Sequence, residues 1–138
     1  MSIEVRRGRA ADLDAIARIQ TSSSEASQWD ASEYLRYDLF VAVCDSRVAG
    51  FAVARRLAEG ESELLNLAVE PASRRLGIAR RLVRELTSRY GGTLWLEVRE
   101  SNNSARNLYK SMGFSEISER RNYYTDTYES AIVMNVHS

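Results

Sequence analysis

Apolar positions along the chain alternate between a period of two and a period of three to four, which predicts strands interleaved with helices. Strand patterns are predicted at residues 3–5, 39–43, 48–54, 63–69, 93–98, 115–121 and 130–136. Helical patterns begin near Leu13, Ala31, Ile78 and Ala105. The order β-α-α-β-β-β-α-β-α-β-β predicts an α/β fold, a mixed sheet with helices on its faces.

Short polar segments and glycines separate these elements. The sequence Asp45-Ser46-Arg47 lies between two apolar strands and predicts a hairpin with a short turn. Asp30 followed by Glu33 is typical of a capping box and predicts a helix start at Ala31. Gly113 is expected to close the last helix in a left-handed conformation. Residues 122–128, which are rich in tyrosine, are predicted to form the loop between the last two strands.

Length and composition indicate one domain, residues 1–138, with a single core that needs no disulfide. Lys+Arg and Asp+Glu are both 19, so the chain lacks the overall basic field of a non-specific nucleic-acid binder. A lone cysteine, Cys44, fits a reducing compartment, and Cys44 and the one histidine, His137, make no metal site. The sequence has no signal-peptide pattern and no long apolar run. We expect a cytoplasmic protein without membrane or nucleic-acid partners.

The segment after the predicted fourth strand has the features of a phosphate-binding turn. Pro71 ends the strand, and Gly77 can adopt backbone conformations that other residues resist. The first amides of the following helix have no partner within it, and the helix dipole adds positive potential. Such a helix start receives a pyrophosphate. From these residues alone, an ordinary βα turn with a solvated basic helix face is the simpler interpretation.

The same turn carries a family resemblance. Arg74-x-x-Gly77-x-Ala79 resembles the Q/R-x-x-G-x-G/A motif of the GNAT acetyltransferase superfamily. Residues 96–102 and Ala105-x-x-Leu108-Tyr109-x-x-x-Gly113-Phe114 resemble the second half of that signature, and the resemblance spans residues 3–136. It implies a mostly antiparallel sheet of six or seven strands with about four helices, splayed between the fourth and fifth strands. It also implies acetyl-CoA as cofactor, bound at Arg74, Arg75, Leu76, Gly77, Ile78 and Ala79.

Within that superfamily the chain is most similar to the RimI family, which acetylates the N-terminal alanine of a ribosomal protein. The similarity lies in residues 94–102 and in Arg120-Arg121-Asn122-Tyr123-Tyr124. It implies a protein N-terminus, that of a ribosomal protein, as the acceptor. Gln28 departs from the pattern, since RimI proteins usually have a proline there, before Trp29. The acceptor preference therefore stays open.

The resemblance also assigns roles to individual residues. It implies Glu97 as general base, although the sequence alone favours a Glu97 that faces solvent or pairs with an arginine. It implies Tyr109 as general acid in contact with the cofactor, while the helical pattern also makes Tyr109 a core aromatic. A backbone amide among Leu67, Ala68 and Val69 would hold the thioester carbonyl, and Asn102 would bind the pantetheine arm. Candidate walls of the acceptor site, each equally explained by packing, are Trp29, Tyr123 and Tyr124.

Three functions remain open at this point. An α-amino group has an ordinary pKa of about 7.7–8.0 against about 10.4 for lysine, so a single carboxylate is an adequate base for an N-terminal amine. Acetylation of a lysine or of a small-molecule amine is the second hypothesis, because the part of the fold that binds the acceptor varies within the superfamily. A non-catalytic acyl-CoA-binding module is the third, and the intact pair Glu97 and Tyr109 argues against it.

Overall fold

The protein, represented by a computed structural model that describes residues 2–23 and 26–138, contains a seven-stranded sheet in the order β1-β2-β3-β4-β5-β7-β6. Only the β4–β5 pair is parallel, and the other neighbours are antiparallel. This confirms the predicted mixed, mostly antiparallel sheet. The strands are β1 (Ile3–Arg7), β2 (Asp38–Cys44), β3 (Arg47–Ala58), β4 (Glu61–Val69), β5 (Thr93–Arg99), β6 (Ser115–Tyr124) and β7 (Glu129–His137).

The helices pack on both faces of the sheet, as the alternation of buried residues on the strands requires. They are α1 (Leu13–Thr21), α2 (Ile78–Tyr90), α3 (Asn103–Ser111), a 3-10 helix at Ala31–Arg36 and two single 3-10 turns at Ala10–Asp12 and Pro71–Ser73. On one face α2 buries Leu82 and Leu86 completely, and each contributes about 1.5–3 kcal/mol. On the other face α1 buries Ile16 and Ile19 against Phe51. None of the described helices is long and apolar enough to cross a membrane.

The sheet splays between β4 and β5, as predicted. The two strands pair only over Glu61–Thr93, Ser62–Leu94 and Glu63–Trp95. Immediately beyond this point Leu65 is an extra residue in the β3–β4 ladder, because Ala54 pairs with Leu64 while Val53 pairs with Asn66. Such a bulge bends its strand. The carboxyl-terminal half of β4 is therefore unpaired on the side that faces β5.

Turn chemistry explains where several elements end. Asp45 and Ser46 both have positive φ, 51° and 65°, the geometry of a tight two-residue hairpin turn. At the end of α3 the Gly113 N–H donates to the Lys110 carbonyl and the Phe114 N–H to the Tyr109 carbonyl, each at 3.0 Å. With Gly113 at a φ of 95°, these bonds satisfy carbonyls that the helix end leaves free. The predicted left-handed cap is confirmed.

Two local predictions were wrong in part. The Asp30 carboxylate accepts the Ser32 N–H at 3.0 Å, but Glu33 pairs with Arg36 instead of reaching back, so only half of the capping box forms. The predicted loop at residues 122–128 is a turn at 125–128, because β6 continues through Tyr124, which pairs with Glu129. Aromatic residues favour extended backbone, and the strand absorbs the irregularity as a register shift around Asn122, whose φ is 52°.

Candidate active site

A cleft of about 1340 Å³ opens at the splay. Residues 64–69 of β4 and 96–99 of β5 line its two sides. The turn before α2, one side of α3 as far as Tyr109, residues 26–28 and Tyr124 also line it. Because the two strands no longer pair here, backbone groups of β4 face open space and can bind a ligand.

The start of α2 offers unpaired amides to this cleft. Gly77 is the N-cap, with a φ of 82° and no side-chain capping bond, and the first helical bond runs from the Arg81 N–H to the Gly77 carbonyl at 3.0 Å. A Cβ at Gly77 would meet no atom of the described residues within 4 Å, so Gly77 leaves the approach to these amides open. Arg75 also has a positive φ, 68°. Alternating left-handed residues and a bare helix start form a concavity that suits an anion.

Arg74 holds this turn in place. Its side chain donates from Nε to the Val69 carbonyl and from Nη2 to the Ser23 hydroxyl, each at 3.2 Å. Five of the six predicted turn residues line the cleft, while Leu76 is exposed and does not line it in the described structure.

One backbone N–H group at the carboxyl end of β4 points into the cleft. The Glu70 N–H donates to the Ala49 carbonyl at 2.8 Å, on the β3 side, so the N–H groups of Val69 and Leu67 point the other way. The Leu67 N–H is taken by the side-chain oxygen of Asn66 at 3.0 Å. Of the three predicted residues, only Val69 is left with an N–H directed at the cleft.

Glu97 lies on β5 between two buried neighbours, Leu96 and Val98, with its side chain on the other face of the strand, and the residue lines the cleft. Its Oε1 accepts from Arg120 Nη1 at 2.7 Å, an ion pair that spans the intervening strand β7. The Arg120 guanidinium also stacks 4.0 Å from the centre of the Tyr123 ring. The two sequence-based readings of Glu97 are therefore compatible, because the paired carboxylate still borders the cleft.

Tyr109 projects from α3 into the core and the cleft at once. It is 8% exposed, its ring lies 5.4 Å from that of Phe114, and it lines the cleft. Burial raises the pKa of its phenol far above the ordinary value. Within residues 2–23 and 26–138 its hydroxyl has no hydrogen-bond partner, so a protonated donor remains available at neutral pH.

The remaining predicted residues separate into two groups. Asn102 lines the cleft, and its side-chain oxygen caps α3 by accepting the Ala105 N–H at 3.1 Å. Tyr124 lines it as well, with the Arg99 guanidinium 4.0 Å from its ring centre. Trp29 and Tyr123 are 48% and 43% exposed and lie outside the described lining.

Comparison with known proteins identifies the family. Residues 11–114 match the Acetyltransferase (GNAT) family. The chain belongs to this family. It is 44% identical over 105 residues to the ribosomal protein bS18-alanine N-acetyltransferase of Escherichia coli strain K12, covering 72% of this chain and 70% of that one. It is 38% identical over 134 residues to the protein of that name in Salmonella typhimurium strain LT2, covering 89% of both chains.

A solved structure extends the similarity to the fold. The crystal structure of the Escherichia coli ribosomal-protein-S18-alanine N-acetyltransferase superimposes with a TM-score of 0.83 at 34% identity, covering 98% of this chain and 93% of that one. The chain is therefore a RimI-like GNAT enzyme, an N-acetyltransferase, as the sequence motifs predicted.

Sequence reasoning missed one group of polar residues beside this GNAT cleft. Asn66 lies in the otherwise apolar run Leu64-Leu65-Asn66-Leu67-Ala68, and it is only 6% exposed. Gln20 stands among the apolar positions of α1 and is 5% exposed. A single polar residue in an apolar strand and another on an apolar helix face were the signals available, and the fold brings the two into contact.

Proposed function

We propose that this N-acetyltransferase transfers the acetyl group of acetyl-CoA to the N-terminal amine of a protein, specifically a ribosomal protein. One observation carries the proposal: a single cleft is lined by residues at the uncapped start of α2, by Glu97 and by Tyr109. Two relatives that cover at least two thirds of the chain are named for acetylating an alanine of ribosomal protein bS18, which supports a protein acceptor.

The residues of the cleft fit acetyl-CoA. The uncapped amides after Gly77 and the left-handed Arg75 suit the pyrophosphate, and Asn102 lines the cleft beside α3 with its side-chain nitrogen left for a ligand. Val69 supplies an N–H for a carbonyl oxygen on which negative charge develops. When bound, acetyl-CoA supplies an acetyl group activated as a thioester.

Glu97 and Tyr109 have complementary roles in this proposal. Arg120 occupies one oxygen of Glu97, which leaves the other to take a proton from the acceptor amine, directly or through one water. The Tyr109 hydroxyl donates to the leaving sulfur as the new C–N bond forms and the C–S bond breaks. An N-terminal amine suits a single carboxylate base, because its ordinary pKa of about 7.7–8.0 leaves a useful neutral fraction.

The acceptor class can be tested with peptides. Purified enzyme is given acetyl-CoA and three matched peptides: one with a free N-terminal alanine and no lysine, one with a blocked N-terminus and one lysine, and one with neither amine. We expect acetylation of the first alone. Comparable turnover of the blocked lysine peptide would contradict the proposal and favour a lysine acetyltransferase. Mass spectrometry of ribosomal protein N-termini, in cells with and without the protein, tests the natural acceptor.

The catalytic roles need separate variants with matched controls. Glu97→Gln and Tyr109→Phe should each lower kcat about 10²–10⁴-fold, the usual contribution of a positioned acid or base. Glu119→Gln and Tyr128→Phe, at exposed positions of β6 and the following turn, should leave kcat unchanged. Full turnover by both cleft variants would disprove the mechanism. Binding of acetyl-CoA without turnover by the unaltered protein would instead indicate a non-catalytic acyl-CoA-binding module.

A further inference from the structure

Asn66 is the centre of a buried hydrogen-bond cluster next to the cleft. Its side-chain oxygen accepts the N–H groups of Leu67 at 3.0 Å and Ser27 at 3.2 Å. Its side-chain nitrogen lies within hydrogen-bonding distance of three acceptors, which share its two N–H groups: Gln20 Oε1 at 3.1 Å, the Ser27 carbonyl at 3.0 Å and the Tyr34 hydroxyl at 3.0 Å. The Tyr34 hydroxyl in turn donates to Gln20. The carboxamide therefore uses its full hydrogen-bonding capacity inside the protein.

The bonds to Ser27 form a clamp between β4 and the segment at residues 26–28. One side chain satisfies both the N–H and the carbonyl of Ser27, as a neighbouring strand would. A carboxamide suits this task because it carries a donor and an acceptor on separate atoms, whereas a carboxylate offers no donor and an aliphatic side chain offers neither group. Residues 26–28 line the cleft, so the clamp sets where this part of the wall lies.

Gln28 restrains the same segment from its exposed side. The two N–H groups of its side-chain nitrogen are shared among the Gln20 carbonyl at 2.8 Å and the Ser23 and Ala26 carbonyls at 3.2 Å each. These bonds to backbone carbonyls reduce the freedom of a segment that has no helix or strand of its own. The segment is thus tied to β4 by Asn66 and to the end of α1 by Gln28.

The same carboxamide also limits which amides of β4 face the cleft. Leu67 and Val69 direct their N–H groups to the open side, and Asn66 occupies that of Leu67. One side chain therefore both holds residues 26–28 and occupies the Leu67 amide, two residues before Val69.

We infer that Asn66 is a positioning residue, which holds residues 26–28 against β4 and so sets the placement of the acceptor amine relative to the acetyl donor. The inference rests on the proposed function, in which this cleft binds both substrates. Asn66 itself has no free hydrogen-bonding group left for the reaction, so its effect passes through Ser27 and Leu67.

The test compares Asn66→Ala with Tyr34→Phe. Tyr34→Phe removes a hydroxyl from the same buried cluster but leaves the Ser27 and Leu67 bonds in place. Both variants should lose thermal stability. Only Asn66→Ala should lower kcat/KM for the acceptor, by roughly tenfold to a hundredfold, the cost of a misplaced reactant. Its Kd for acetyl-CoA, measured by calorimetry, should stay within about twofold to threefold of the original value.

Two further measurements keep the inference testable if Asn66→Ala folds poorly or the acceptor differs. Gln28→Ala, at an exposed position, should fold normally and raise the acceptor KM without changing the Kd for acetyl-CoA. Hydrogen exchange of residues 26–28 should accelerate in Asn66→Ala and Gln28→Ala but not in Tyr34→Phe, and this readout needs no turnover.

Two results would overturn the inference. One is a loss of acceptor kcat/KM that follows the loss of thermal stability in the same way in Asn66→Ala and in Tyr34→Phe. Such a result would mean that Asn66 contributes to stability alone. The other is unchanged exchange of residues 26–28 in Asn66→Ala. A wild-type enzyme that acetylates only lysine or a small amine would instead contradict the proposed function, and the variants would then be compared on that amine.

Discussion

Gly77→Ala separates the backbone role of the turn from its role in binding the cofactor. Gly77 has a φ of 82°, a region that costs an L-residue about 1–2 kcal/mol. A Cβ there would touch nothing within 4 Å, so packing adds no further cost. With an unfolding entropy of about 2.1 cal/mol/K per residue, this strain lowers the Tm of a chain of 138 residues by about 3–7 °C.

Gly60→Ala is the matched control. Gly60 has a φ of 74° and equally open surroundings, but it lies in the turn between β3 and β4, outside the described lining of the cleft. Both variants should therefore show a similar fall in Tm by calorimetry. Gly77→Ala alone should raise the Kd for acetyl-CoA, by about tenfold or more, because the methyl group enters the space in front of the helix amides.

The expected fall in Tm and the expected rise in the Kd for acetyl-CoA are tested separately. An unchanged Tm in Gly77→Ala would refute the argument from backbone strain. An unchanged Kd for acetyl-CoA in Gly77→Ala, or an equal rise in Gly60→Ala, would refute the assignment of the pyrophosphate to this turn. The two measurements need no acceptor, so they hold whichever amine the enzyme acetylates.

Three other predictions follow from single contacts. Arg120→Ala should lower acceptor kcat/KM about tenfold by releasing Glu97, yet hardly change the midpoint of urea unfolding, because exposed ion pairs contribute little to stability. An unchanged kcat/KM would contradict this role. The Arg6 guanidinium holds the pKa of Asp12 below its ordinary value, so the stabilisation is present above about pH 4 and is lost as the pH falls through the lowered pKa. Asp12→Asn should cost about 1–3 kcal/mol at pH 7 and progressively less as the pH falls below about 4, and a cost that does not change with pH would refute this role. Gly50→Ala should lower the free energy of unfolding in urea by about 1–3 kcal/mol, because its Cβ would lie 3.0 Å from the Ala68 carbonyl oxygen of β4. Wild-type stability of this variant would show that the β4 backbone can shift to make room.

Sequence patterns predicted the fold well because they reflect local physics. Apolar periodicity and turn residues are properties of neighbouring positions, and the elements they indicated are present in the predicted order. The ends of β6 were less predictable, because the pairing of Tyr124 with Glu129 is decided by the partner strand and not by the tyrosine itself. The extra residue Leu65, which lies at the splay, depends on register across two strands and leaves no local signal.

The site was predictable only where a motif is contiguous. The turn before α2 is six consecutive residues, and its geometry follows from one glycine and a helix start. The Asn66 cluster joins residues 32 to 46 positions apart, so its meaning emerges only when α1, β4 and the 3-10 helix meet. The Glu97–Arg120 pair likewise spans 23 positions and two strands of the sheet. The sequence indicated that Glu97 could pair with an arginine but not which one, and it gave no role to Asn66.

The two sides of the proposed acceptor site are held by different physical means. Residues 26–28 are fixed by bonds to a buried amide, which water and salt reach poorly. β7 of the opposite hairpin pairs with β5 from Thr93 to Arg99, whereas the turn at residues 125–128 is held by the exposed Arg99–Asp126 ion pair and by stacking of Arg99 on Tyr124. Salt weakens exposed ion pairs. The turn of the hairpin is therefore the part that adjusts more easily to different acceptors, while residues 26–28 provide the fixed reference against which an amine is placed.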